Sequence, residues 1–160
     1  MRIIAFSDTH RHCDRVHKLF ECEHLSADLF IFLGDVEKDL ENMNVLYPGK
    51  DILSVPGNCD IGSKNPIVAT VEVMGKKIVF THGHNHMVKF GISKLKRLAT
   101  ENAADIVLFG HTHVRHSSYE DGVYYINPGS LGEPRDGKAP SYAIIDIIPG
   151  GVLVSHAELI

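Results

Sequence analysis

Five apolar runs in this chain each end at side chains able to hold a hard metal ion. Ile3-Ile4-Ala5-Phe6 leads to Asp8 and His10, and Leu29-Phe30-Ile31-Phe32-Leu33-Gly34 leads to Asp35. Ile52-Leu53-Ser54-Val55-Pro56-Gly57 leads to Asn58. Ile78-Val79-Phe80 leads to His82, and Ile106-Val107-Leu108-Phe109-Gly110 leads to His111 and His113. Runs this short and this apolar predict buried strands. Strand ends converge in space, and α/β sheets gather their sites there. The fold must therefore bring together residues that lie far apart in sequence.

The intervening segments have readable periods. A strand is expected over 2–7, where Asp8 or Thr9 stands as an N-cap for the helix that follows. Val16, Leu19, Phe20 and Glu23 share one face of a helix over 13–24. A strand over 28–33, a short helix over 37–46 closed by Tyr47-Pro48-Gly49, and a strand over 51–55 complete a β-α-β-α-β order. That order predicts a parallel sheet. The pattern then changes to a hairpin, 67–73 and 76–81, joined at Gly75. Next come an amphipathic helix over 92–102, with Lys94, Lys96 and Arg97 outside, and a strand over 105–109. Two further hairpins turn at Asp121-Gly122 and at Pro149-Gly150-Gly151. The mixture predicts two packed sheets with helices outside, in one domain spanning 1–160.

Bulk properties exclude several classes. Lys+Arg is 16 against 20 Asp+Glu, a net charge of -4, so there is no electrostatic case for bulk nucleic-acid or membrane-surface binding. No apolar stretch approaches the roughly 20 residues of a membrane span. The first apolar run, stopped by Asp8, is too short for a secretory signal. Cys13, Cys22 and Cys59 form no C-x-x-C pair, which points to reduced thiols and a cytoplasmic location. The 11 histidines are unusual, and they concentrate between His82 and His86 and between His111 and His116.

Taken one at a time, the candidates have ordinary explanations. Asp8 reads as a helix cap, Asp35 and Asn58 as turn residues, and His82 as a solvated or core histidine. His111-Thr112-His113 says more, because residues two apart in extended chain point the same way. The set says more again. Two Asp, one Asn and four His suit divalent Mn, Fe, Co, Ni or Zn. Seven ligands exceed the needs of one ion with an open position, and are enough for two ions sharing a carboxylate. Two ions about 3.5–4 Å apart activate a bridging water and clamp both oxygens of an in-line displacement. A phosphate ester is the natural substrate of such a clamp.

Five blocks follow in order: Asp8-Thr9-His10, Gly34-Asp35, Gly57-Asn58-Cys59-Asp60, His82-Gly83 and Gly110-His111-Thr112-His113. On these blocks the chain resembles the calcineurin-like metallophosphoesterases. Among them it looks most like the small single-domain bacterial and archaeal phosphodiesterases, which also carry a segment like Asn127-Pro128-Gly129-Ser130-Leu131. The resemblance implies an α/β fold, a four-layer α/β/β/α sandwich of two mixed sheets flanked by helices. It implies one ion on Asp8, His10, Asp35 and His113, and a second on Asp35, Asn58, His82 and His111, with Asp35 bridging. Mn is the first expectation for both, with Fe, Ni, Co or Zn open. A small phosphodiester would be hydrolysed by a metal-bridging hydroxide, with Asp35, Asn58 and His82 counted as catalytic. The alternative is a non-catalytic interaction scaffold, because the same fold serves a eukaryotic trafficking complex in which the metal site has degraded.

Two residues depart from the family pattern. Many members carry, where Cys59 stands, a histidine credited with protonating the leaving group. A thiol is a weak donor with an ordinary pKa of about 8.5, although the small phosphodiesterases often share this cysteine. Lys38 stands where many relatives have a second Asp. Other candidates are weaker. His84 could reach the substrate phosphate, with loop solvation as its ordinary reading. Asp60 could hold a ligand or Cys59 in place. Arg135 could contact phosphate, though a surface Arg is the default there. His12 and Asp14 read as solvated, and Cys59 itself could be a small buried apolar residue.

Overall fold

The computed structural model describes residues 1–160. In chain order the elements are β1 (Arg2–Phe6), α1 (Cys13–Glu23), β2 (Leu29–Phe32), α2 (Met43–Leu46), β3 (Asp51–Ser54), β4 (Val68–Val73), β5 (Lys76–Thr81), α3 (Ser93–Asn102), β6 (Ile106–Leu108), β7 (Arg115–Glu120), β8 (Val123–Pro128), β9 (Ser141–Ile148) and β10 (Gly151–Glu158). One five-stranded sheet runs β10-β9-β1-β2-β3 and the other β4-β5-β6-β8-β7. The β1–β2 and β2–β3 pairs are parallel, as are β5–β6 and β6–β8. The expected hairpins give the antiparallel pairs β4–β5, β7–β8 and β9–β10, and β9 also pairs antiparallel with β1.

The layers follow from strand alternation. Ile3 and Ala5 of β1, with Leu29 and Ile31 of β2, join Ile78, Phe80, Ile106 and Leu108 in a core between the sheets. Ile4, Phe6, Phe30 and Phe32 turn the other way and pack on Val16, Leu19 and Phe20 of α1. On the far side Val79, Val107 and Tyr125 meet Leu95 and Ala99 of α3. Both faces of the central strands are covered, which is why those strands read as unbroken apolar runs. The result is the expected α/β/β/α sandwich. No helix is long and apolar enough to cross a membrane.

Two local expectations fail. Residues 37–46 do not form one helix. A 3₁₀ turn at Glu37–Leu40 and the single-turn α2 are separated by Glu41, which is extended (ψ 131°), and Asn42, which is left-handed (φ 71°). Asn tolerates that conformation, and the Asp39 side chain is held by Thr9 Oγ1 (2.6 Å) and Arg11 N (2.8 Å). Neither Asp8 nor Thr9 caps α1. The helix begins at Cys13 after His12, with no side-chain cap, because Asp8 is fully buried and turned into the cluster described next.

Candidate metal centre

Three groups of ligand atoms each lie within 4.8 Å of one another: Asp8, His10 and His113; Asp35, His82 and His111; and His10, Asp35 and Cys59. The first falls within one of the two sets that the resemblance implies but lacks Asp35, the second falls within the other but lacks Asn58, and the third adds the cysteine. Asp35 Oδ2 faces both sides, 3.8 Å from His10 Nε2 and 3.5 Å from His82 Nε2. Asp8 Oδ1 lies 3.1 Å from His113 Nε2 and 3.9 Å from both His10 Nε2 and His82 Nε2. His10 Nε2 and His113 Nε2 are 3.2 Å apart.

The protonation pattern can be deduced from the partners. His82 Nδ1 lies 2.7 Å from the Leu33 carbonyl, and His113 Nδ1 lies 2.7 Å from the Glu133 carbonyl. A carbonyl only accepts, so each Nδ1 carries a hydrogen and each ring turns its Nε2 toward the cluster, the orientation of a metal-binding histidine. His82 Nε2 and Asp8 Oδ1 are both buried without a hydrogen-bond partner. Lone pairs that converge in a dry place need a cation or a proton between them, and this donor set fits divalent metal ions.

The electrostatics agree. Burial opposes the charged form of Asp8, but the His113 imidazole 3.1 Å away and that of His82 outweigh it and hold the carboxyl below its usual range. Burial lowers His113, but Asp8 outweighs it and the imidazole is raised. Burial, with the charges of His82 and Lys89, pushes His111 down to about 4, so its ring is neutral at ordinary pH.

Backbone strain concentrates at the same residues. Asp8 (φ 54°), His10 (44°), Asp35 (58°), His111 (69°) and His113 (59°) all occupy the left-handed region. Such conformations cost on the order of 1–3 kcal/mol each and cluster at functional sites. Polar braces hold them in place. Asp60 Oδ2 accepts from Asp35 N (2.9 Å) and Gly57 N (2.8 Å), and Asp60 Oδ1 accepts from Glu37 N (2.7 Å). Ser130 Oγ donates to the Asp8 carbonyl (2.8 Å), and Asn127 Nδ2 donates to the Gly110 carbonyl (2.9 Å). The Asn127–Leu131 segment therefore supports the ligand loops.

The other sequence candidates fall in different places. Asn58 is exposed, its amide donating to Cys59 Sγ (3.5 Å), while Cys59 N donates to Asp35 Oδ1 (2.8 Å). Cys59 is exposed, which corrects the reading of it as a buried apolar residue. Burial of its inner side, with the charges of Asp35, Asp60 and Asp8, pushes its thiol up to about 11. His84 is not a freely solvated loop residue. Its ring centroid lies 5.4 Å from that of His82 and 6.1 Å from that of His111, and its Nδ1 is buried without a partner. Arg135 is exposed, and its backbone N donates to the His113 carbonyl (2.9 Å). His10, Arg11, Val36, Cys59 and Glu133 line an open cleft of about 410 Å³ beside the cluster. Sequence reasoning missed Asp39, Arg11 and Glu133. Lys38 drew attention as the departure, yet the buried acid is its neighbour Asp39.

Comparison with known proteins agrees with this geometry. Residues 1–149 match the Calcineurin-like phosphoesterase superfamily domain. The chain belongs to that superfamily. It is 30% identical over 148 residues to the probable metallophosphoesterase YsnB of Bacillus subtilis, covering 92% of this chain and 85% of that protein. A solved archaeal phosphodiesterase superposes with a TM-score of 0.75 at 26% identity, covering 98% of this chain and 100% of that one. Vacuolar protein sorting-associated protein 29 of Schizosaccharomyces pombe is 39% identical over 115 residues, 66% of this chain and 60% of that protein. The chain is thus a metal-dependent phosphoesterase of the calcineurin-like kind.

Proposed function

We propose that the cluster holds two divalent ions, manganese by preference, and that the chain hydrolyses small phosphodiesters in the cytoplasm. The observation that carries the dinuclear reading is the pair of ligand sets on either side of Asp35 Oδ2. Asp8, His10, Asp35 and His113 would hold one ion, and Asp35, Asn58, His82 and His111 the other. Two such ions supply a water activated at neutral pH and positive charge against the phosphate oxygens.

The chain's own residues do the rest. The carbonyls of Leu33 and Glu133 fix the tautomers of His82 and His113. His84, whose ring centroid lies 5.4 Å from that of His82, would contact a phosphate oxygen, as would the exposed Arg135. The cleft lined by His10, Arg11, Cys59 and Glu133 would take one ester substituent. Cys59, a protonated but weak donor, gives little help to a poor leaving group. Preference for a diester follows the archaeal relative, and the cytoplasmic placement follows three free, exposed cysteines.

The test is metal analysis of the purified protein with hydrolysis of bis(p-nitrophenyl) phosphate. Bound transition metal and Mn-stimulated turnover are expected; the absence of both overturns the proposal. The S. pombe relative favours a second reading, a non-catalytic scaffold. Asp35→Asn separates the two, since it abolishes turnover in an enzyme and leaves partner binding intact in a scaffold.

A further inference from the structure

We propose that Glu37 is a positioning residue that cross-braces the Asn58 loop to the Asp35 loop and so sets the second ion site. The inference rests on the dinuclear assignment above. Asp35 and Glu37 lie on the loop after β2, and Asn58, Asp60, Ser63 and Asn65 lie on the loop after β3. Each loop lends the other an acid. Asp60 accepts from the Asp35 and Glu37 amides, at 2.9 and 2.7 Å. In return Glu37 Oε2 accepts from Ser63 Oγ (2.5 Å), and Glu37 Oε1 accepts from Asn65 Nδ2 (2.7 Å) and from Ser54 Oγ at the end of β3 (2.5 Å).

The brace matters because nothing apolar does its job. None of residues 58–66 is buried, and Ile61, the apolar residue nearest the turn, is 97% exposed. Polar struts alone hold this loop. The near arm is tied to the Asp35 loop twice: Gly57 N donates to Asp60 Oδ2, which also accepts from Asp35 N, and Cys59 N donates to Asp35 Oδ1. Glu37 pins its far arm, at Ser63 and Asn65. Without the far strut residues 61–65 are released, and the position of Asn58 then rests only on the two backbone bonds that flank it, at Gly57 and Cys59. Of the seven ligand candidates Asn58 alone stands on this loop, so damage should fall on one ion site and spare the other.

Mn²⁺ titration of the metal-free protein by calorimetry tests this. Glu37→Ala should weaken one of two Mn²⁺ sites by about tenfold or more, in the range known for residues behind metal ligands, and leave the other unchanged. Glu37→Gln keeps an acceptor oxygen and should restore most of the affinity. Ser63→Ala removes one strut and should fall between. Tyr142→Phe, which loses a hydrogen bond to Glu23 on α1, controls for general destabilisation and should bind both ions as the unaltered protein does. Equal weakening of both sites, or unchanged binding in Glu37→Ala, overturns the proposal. If Glu37→Ala does not fold, Ser63→Ala and Glu37→Gln decide on the same criteria. Fewer than two ions on the unaltered protein overturns the dinuclear assignment, and this inference with it.

Discussion

Metal should stabilise this protein strongly, and the geometry says which residues share the effect. Five ligand candidates are held in left-handed backbone, and Asp8 Oδ1 and His82 Nε2 are buried without partners. The metal-free fold carries those costs. A ligand present at about a hundredfold over its Kd stabilises by about 2.7 kcal/mol per site, so two sites give about 5 kcal/mol. For a chain of this size about 2–4 °C accompanies each kcal/mol, which makes the expected rise in Tm roughly 10–20 °C. Thermal unfolding in chelator and in Mn²⁺ measures it. Asp35 Oδ2 faces both His10 and His82, so Asp35→Asn should lose both increments. His82→Ala and His113→Ala should each lose only one. In chelator, Asp35→Asn should be at least as stable as the unaltered protein. It keeps an oxygen for Cys59 N and removes a buried charge close to Asp8. An Asp35→Asn protein that retains half or more of the metal-induced rise refutes the shared-carboxylate geometry. So does His82→Ala losing as much as Asp35→Asn.

Two further predictions concern Cys59. Cys59→His should raise kcat/KM for diesters with alkyl leaving groups, toward the roughly 10²-fold typical of general acid help, and change bis(p-nitrophenyl) phosphate little; equal gains on both substrates exclude a proton-donor role. Because the Cys59 thiol is pushed up to about 11 by burial and by Asp35, Asp60 and Asp8, it stays protonated at neutral pH. Its iodoacetamide alkylation in metal-free protein, followed by mass spectrometry, should keep rising above pH 9, and a plateau below that pH contradicts the environment described.

Much of this was legible before any coordinates. The buried strands announce themselves because both of their faces are covered, and the hairpin turns because Met74-Gly75 and Asp121-Gly122 take positive φ. The ligand candidates were legible as a set, because each follows a strand. What could not be read were contacts that depend on how two loops meet. Asp39 looks like an exposed residue of a short helix, yet its carboxylate is spent on Thr9 and Arg11, and the helix breaks just beyond it. Asp60 reads as a residue that could hold a ligand or Cys59 in place, and only the folded chain shows its carboxylate gathering the amides of Asp35, Glu37 and Gly57. His84 reads as loop because nothing in a one-dimensional spacing says that the turn after His82 folds back toward His111.

The glycines of the five blocks explain why those blocks inform jointly and say little singly. A side chain at Gly57 would place its Cβ on Asp35 Oδ1, so Gly57-Asn58 leaves room for the carboxylate of Gly34-Asp35. A Cβ at Gly110 would fall on Ser7 Oγ and lie 3.0 Å from Asp8 Oδ2, so Gly110-His111 leaves room for the first block. Gly57 is thus a vacancy cut for an acid that belongs to another strand, and Gly110 is one cut for Ser7 Oγ beside such an acid. Once the Cβ is absent, the backbone comes close enough to help. Cys59 N donates to Asp35 Oδ1 (2.8 Å), and His111 N donates to Asp8 Oδ2 (3.0 Å). Each carboxylate is left with one oxygen tied to an amide and the other turned toward the imidazoles. That division orients the candidate ligand atoms without any ion. It also means that adding one methyl group at Gly57 or Gly110 would disturb a ligand supplied by a different block.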